Sequence, residues 1–412
     1  MSHPHTRTGP GPATTAGPGR GPRITLILAA GTFAVGTDAF VVAGLLPDMA
    51  AALRTTTTAA GQSVTVFAIS YAILAPLLST LAARLPRRRL LVAALLVLAA
   101  GNLVAAAAET LPVLLLGRIV AAAGAAAYTP NAGAVGASLV PPAQRGRALA
   151  VVIGGLTVAT ALGVPLGGLT GRWLGWRAAL VAVALLALAV AAAVRLAMPA
   201  LPGGPAVPLR ARLTALRRPA VLAVLPLTVI GMAACYTVYA FAVPTLGALD
   251  VDAYQVNLML LLYGVGAVVG NVAAGYATDR WGAVPVLATG YAALAVALGV
   301  LGALSTAGSA PTVLVALLVG AWGAASWCQT PAQQHRLIAA APQQAPLVVS
   351  LNSSAIYLGI GLGTAVGGAT LPSGVPTMYA LGAAGAVVAL LVLHLGQRIT
   401  RRDGQRRRPI PA

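Results

Sequence analysis

Asp38 and Arg118 stand deep inside long apolar stretches of this 412-residue sequence. Burying a lone carboxylate costs enough free energy that it is neutralised, paired or kept for a task. A proton that loads onto Asp38 and leaves again is one such task. The competing reading is a structural carboxyl bonded to a neighbouring helix. Arg118 lies about 6 residues, or about 9 Å, into its run, and Asp38 lies about 14 Å before Pro47, measured from the same side. The depths are comparable, so Arg118 offers Asp38 an opposite charge. The competing reading for Arg118 is a side chain that snorkels to the headgroups.

The surrounding composition says what these residues are embedded in. The chain is 58% hydrophobic and 8% charged, against about 25% charged in soluble domains. Its polar residues are too few to cover a soluble exterior of this size. The apolar runs are long, rich in Ala, Leu and Val, and lack strict alternation, which predicts membrane-spanning helices rather than a barrel. Twelve runs are predicted, over 24–46, 60–83, 90–108, 112–138, 148–170, 178–198, 220–246, 256–278, 284–305, 311–335, 347–370 and 377–396.

The net charge of +19 comes from 26 arginines and no lysine. Nucleic-acid binding is rejected because the arginines cluster in the tails and in short segments between runs. With both tails cytoplasmic, 22 of the 26 fall on the inner side; Arg54, Arg172 and Arg177 fall outside and Arg118 within a run. That asymmetry predicts cytoplasmic termini and favours anionic headgroups as neighbours. Cys235 and Cys328 lie in apolar runs without zinc-ligand spacing. No metal cluster, nucleophile triad or nucleotide-binding loop is evident, so no cofactor, metal or enzymatic activity is expected.

The predicted organisation is an all-α membrane protein of twelve transmembrane helices in two pseudo-repeated six-helix bundles. A disordered tail spans 1–23, the bundles span 24–198 and 220–396, a linker spans 199–219 and a basic tail spans 397–412. Two offsets support the repeat: Arg84 and Arg280 lie 196 residues apart, as do the starts of the first and seventh runs. Repeats of this kind place substrate near the membrane midplane between the halves.

Several segments then resemble a known family. Gly275-x-x-x-Asp279-Arg280-x-Gly282 is similar to the loop signature of the major facilitator superfamily. Its first-half counterpart, ARLPRRRLL over 83–91, carries Arg84 and Arg87 but has Ala83 and Pro86 in place of the acidic residue and the glycine. This resembles the bacterial drug-resistance and sugar-efflux branch. GTDAFVVAGLLP in the first run, GRIVAAAGAAAYTP in the fourth and GVPLGG in the fifth resemble that branch's helix motifs, the last being its antiporter motif (Gly163, Pro165, Gly167, Gly168). GRWLGWRAAL, AWGAASW and LNSSAIYLGIGLG are also similar.

The resemblance covers roughly 24–396 and implies export of small organic molecules, such as antibiotics or similar amphiphiles, in exchange for protons by alternating access. It makes Asp38 and Arg118 the proton-coupling residues. The inner loops, with Arg84, Arg87, Gly275, Asp279, Arg280 and Gly282, become breakable gates held by salt bridges. In this fold the first, fourth, seventh and tenth helices line the cavity, which nominates Phe40, Tyr128, Asn131, Tyr236, Tyr239, Trp322, Trp327 and Gln329 as substrate contacts. A functional monomer in the inner or plasma membrane is implied. The alternatives are sugar or nucleoside-like efflux, proton-coupled uptake, or a receptor or scaffold that kept the fold.

Overall fold

The computed structural model describes residues 20–141, 144–203, 219–307 and 310–406. Most of the expected 1–23 tail, most of the 199–219 linker and the end of the basic tail lie outside these residues. Every regular element among the described residues is helical. Long apolar runs do this because, in hydrocarbon, a helix pairs its own backbone groups within one segment.

The spanning helices are α1 (Arg20–Val41), α2 (Thr57–Leu81), α3 (Arg87–Ala106), α4 (Leu111–Ser138), α5 (Arg145–Leu174), α6 (Trp176–Ala197), α7 (Leu225–Tyr239), α8 (Ala253–Trp281), α9 (Ala283–Ala307), α10 (Thr312–Ala340), α11 (Ala345–Thr370) and α12 (Val375–Arg406). Eleven of them are long and apolar enough to cross a membrane; α7, at 15 residues, is the short one. Large apolar side chains such as Leu116, Leu185, Val269 and Leu317 point outward. Apolar residues thus sit both in the core and on the exterior, as a lipid-facing bundle requires.

The seventh run corrects the expectation of one continuous helix over 220–246. It is divided into Pro219–Leu222, α7 and Ala242–Gly247. Proline explains both interruptions. It has no N–H for the carbonyl four residues back, and its ring crowds that carbonyl. Pro226 stands four residues after Leu222 and Pro244 four after Ala240, at the two breaks. The same rule breaks α1 after Val41, ahead of Pro47, into a 3-10 turn over Val42–Gly44. It also breaks α10 at Cys328, ahead of Pro331. In α5, Pro165 follows a π-helical turn, Ala159–Gly163, in which the Val164 N–H reaches back to the Ala159 carbonyl. An added residue in the turn is one way a helix absorbs a misfit.

Packing repeats at a six-helix offset. α1 lies on α5 and α6 as α7 lies on α11 and α12. α3 lies on α4 and α6 as α9 lies on α10 and α12, and α2 on α4 matches α8 on α10. The first six helices meet the last six chiefly where α2 packs on α11 and where α8 packs on the π-turn of α5.

Small residues let the backbones come this close. A Cβ on Gly163 would run into Thr37, and one on Gly167 into Val41, so the glycine face of α5 is the seat of α1. Gly359, Gly363 and Gly367 give α11 the same relation to α7, set against the carbonyls of Val229, Ala233 and Thr237.

Candidate functional site

α1 carries Asp38 one turn before its break, and α4 brings Arg118 beside it. Arg118 Nη1 donates to Asp38 Oδ1 at 2.5 Å, and Nη2 donates to the Asp38 carbonyl at 3.1 Å. Both side chains are fully buried. The guanidinium also lies over the Phe67 ring of α2, 4.3 Å from its centroid. Such a face adds attraction for a desolvated cation. Asp38 Oδ2 has no hydrogen-bond partner, and Asn102 of α3 lies beside the carboxylate. A buried carboxylate with one oxygen engaged and one free has a place to receive a proton. The two residues singled out in the sequence therefore meet, and Arg118 does not snorkel.

Aromatic side chains gather next to the pair. Phe40, two residues after Asp38, meets Trp327 edge-on at 5.8 Å and Tyr236 at 6.3 Å. Tyr236 meets Tyr239 at 5.1 Å, and Tyr239 meets Trp322 at 6.1 Å. Five of the eight nominated cavity residues thus form one cluster. It stands at the helix breaks: Phe40 is the penultimate residue of α1, Tyr239 ends α7, and Trp327 ends the first part of α10.

The other three nominated residues lie apart from the cluster. Tyr128 donates to the Leu28 carbonyl at 3.1 Å. Asn131 accepts from Arg87 at 2.9 Å, which joins a nominated loop residue to a nominated cavity residue. Gln329 belongs to a polar chain in the last six helices. In it Arg336 donates to Gln333, Gln333 to Tyr291, and Tyr291 to Gln329, at 3.0, 3.4 and 3.2 Å.

Among the described residues, the expected salt bridges of the inner loops are not formed. Asp279 and Arg280 are exposed, and among the described residues neither has an ion-pair partner. Arg84 is exposed as well. Gly282 closes α8 with φ +85°, a conformation that a side chain would strain. Its role is a turn.

Two residues that the sequence reasoning missed complete the site. Tyr263 of α8 lies 4.4 Å from Tyr239 and 5.2 Å from Trp322, ring centroid to ring centroid. Tyr357 of α11 stacks on Tyr71 at 3.7 Å, touches Phe67 at 6.3 Å, and is close enough to Asp38 and Arg118 to interact with both. A usable signal was the scarcity of aromatics, 5% of the chain. A tyrosine in an apolar run was a candidate whichever helix carried it.

Three broken, proline-bearing helices and an intramembrane ion pair within the first of two repeats are the architecture of a secondary carrier. The family model of the Major Facilitator Superfamily matches residues 28–249 and 224–411. The chain belongs to the major facilitator superfamily. It is a multi-pass membrane transporter of that superfamily and not an enzyme. The chain is 36% identical to the chloramphenicol resistance protein of Streptomyces lividans over 383 residues, covering 89% of this chain and 94% of that protein. It is 31% identical to the inner membrane transport protein YdhP of Escherichia coli K12, over 90% and 95% of the two chains. Among solved superfamily folds, it is similar to the xylose transporter XylE of E. coli in a partially occluded inward-open conformation. The TM-score is 0.70 at 16% identity, over 90% of this chain and 98% of that one. The POT family transporter PepTSo gives a TM-score of 0.76 at 13% identity, over 92% and 98%.

Proposed function

We propose that this transporter exports small organic molecules in exchange for protons, with Asp38 as the proton carrier and Arg118 as its counter-charge. The observation that carries the reading is the fully buried Asp38–Arg118 pair, in which one carboxylate oxygen is left without a partner. Protonation of Asp38 removes the charge that holds Arg118. The arginine cannot lose its own proton, so it must seek another acceptor. A pair that is intact in one protonation state and broken in the other biases two packings of the helices around it, which is what alternating access needs.

In this reading residues 24–198 and 220–396 act as the two bundles. They rock about the α2–α11 and α5–α8 contacts, with both termini cytoplasmic and the monomer as the working unit. The glycine face and π-turn of α5 hold α1 in register while the bundles move. The chloramphenicol resistance relative supports drug-like cargo. The arginine asymmetry supports the orientation, with the protein in the cell membrane.

The test is proton movement in everted membrane vesicles on addition of chloramphenicol and a panel of amphiphilic antibiotics. The expected result is substrate-triggered proton release with the native protein and none with Asp38→Asn. Release in both would move the proton to another group. Sensitisation of cells to a toxic substrate on expression, rather than protection, would replace export by uptake.

A further inference from the structure

The aromatic cluster contains polar atoms that nothing in the protein satisfies. Tyr236 Oη, Tyr239 Oη, Trp327 Nε1 and Trp322 Nε1 are all buried and without a hydrogen-bond partner. Their residues are between 1% and 5% exposed. A buried polar group left unpaired costs on the order of 1–3 kcal/mol. Four such groups in one contiguous cluster point to a partner that arrives from outside. An indole N–H can only donate, and a phenol donates as readily as it accepts. The complement of this set is therefore an acceptor.

Charge narrows the class further. Seven acidic residues exist in the chain: Asp38, Asp48, Glu109, Asp250, Asp252, Asp279 and Asp403. Asp48, Glu109, Asp250, Asp252 and Asp279 are exposed on loops or helix ends. Asp403 belongs to the tail beyond the last apolar run. Among the described side chains Asp38 is the buried one, and Arg118 already holds it. Rings alone are able to attract a cation through their faces. Here three pairs are T-shaped, Phe40 with Trp327 at 83°, Tyr239 with Trp322 at 78° and Tyr263 with Trp322 at 76°, so in each pair the edge of one ring covers a face of the other. The N–H groups of Trp322 and Trp327 and the O–H groups of Tyr236 and Tyr239 are what remains unpartnered.

From this we infer that the cluster is the specificity site for an uncharged aromatic molecule carrying several hydrogen-bond acceptors, such as nitro, carbonyl or hydroxyl oxygens, and that it discriminates against organic cations. Phe40 and its neighbouring rings supply the apolar bed, and Tyr236, Tyr239 and Trp327 supply the donors. The helix breaks beside Tyr239 and Trp327 let these rings part to admit the molecule. The inference rests on the exporter reading and deepens it.

The experiment uses the purified full chain in detergent, titrated with chloramphenicol, an uncharged nitroaromatic amide, while tryptophan fluorescence is followed. Tetraphenylphosphonium, an aromatic cation without acceptors, is the competitor. The expected result is saturable quenching that tetraphenylphosphonium displaces at least roughly ten-fold less well than unlabelled nitroaromatic amides of similar size. Tyr239→Phe and Trp327→Phe are each expected to weaken binding by roughly five-fold, the effect of one lost neutral hydrogen bond. Displacement by the cation at equal concentration, an absence of saturable quenching, or unchanged affinity in both variants would overturn the inference. The competition on the native chain stands even where a variant fails to fold. Saturable, donor-dependent binding with no proton movement in vesicles would instead sink the exporter reading and leave the donor set as assigned.

Discussion

Asp38 and Cys235 occupy the same place in the two halves of the molecule. Each lies nine residues before the proline that breaks its helix, Pro47 or Pro244. Each is fully buried. Asp38 is charged and faces an arginine. Cys235 is neutral, with Ser326 Oγ 3.0 Å and Tyr263 Oη 3.2 Å from its sulfur. The backbone device is shared and the chemistry is not. One half holds charge that can be titrated. The other holds neutral polar atoms among aromatic rings. Duplicated halves thus separate two tasks, and the aromatic cluster is the seam where Phe40 of the first touches Tyr236 and Trp327 of the second.

The sharpest way to break this comparison is Asp38→Asn. It leaves Arg118 buried without a counter-charge, and removal of one partner of a buried pair costs about 3–5 kcal/mol. Proton-driven uphill transport in proteoliposomes should vanish, and thermal stability should fall. Arg118→Met should also abolish uphill transport but destabilise less, because a stranded carboxyl binds a proton whereas a stranded guanidinium cannot lose one. Melting curves of the two variants, taken side by side, decide whether that ordering holds. Gly163→Ala should cost about 1–3 kcal/mol and slow transport, since the new methyl would meet Thr37 across the α1–α5 contact. An unchanged melting temperature there would mean that α1 has room to shift. Cys235→Ala is the mildest change, about 1 kcal/mol or less for its sulfur contacts, with uphill transport retained. Loss of coupling in Cys235→Ala would erase the division between the halves.

Much of this was legible in the sequence because lipid imposes one strong rule. A run of about twenty apolar residues has few options other than a spanning helix, and twelve runs gave the helix order. The depth of Asp38 and Arg118 was readable from their distance to the ends of their runs. The interruptions of α1, α7 and α10 each fall by the carbonyl four residues before Pro47, Pro244 and Pro331, although Pro76 and Pro130 stand inside unbroken helices, so the prolines marked candidate breaks only. Hydropathy averages over twenty residues, and it hid them. Tyr263 and Tyr357 were missed for another reason. Tyr263 enters through the packing of α8 on α10 within the last six helices and Tyr357 through the packing of α11 on α2 across the halves, and no local pattern encodes either. The same limit applies to Tyr128 and Asn131. Helix membership nominated them for the cavity, but their rotational positions give them to the Leu28 carbonyl and to Arg87.

The helix breaks have a consequence for how this protein can change over generations. The hinge at each one is written in the backbone, by a proline that has nothing to give the carbonyl of Ala43, Ala240 or Trp327. Exchanging the side chain at those three positions does not restore the missing donor. Mutation can therefore vary the rings and donors of the aromatic cluster while the joints beneath them persist. If the cluster reads the cargo as proposed, altered cargo is reachable by single steps through Tyr239 or Trp327, whereas straightening a helix requires replacing the proline itself.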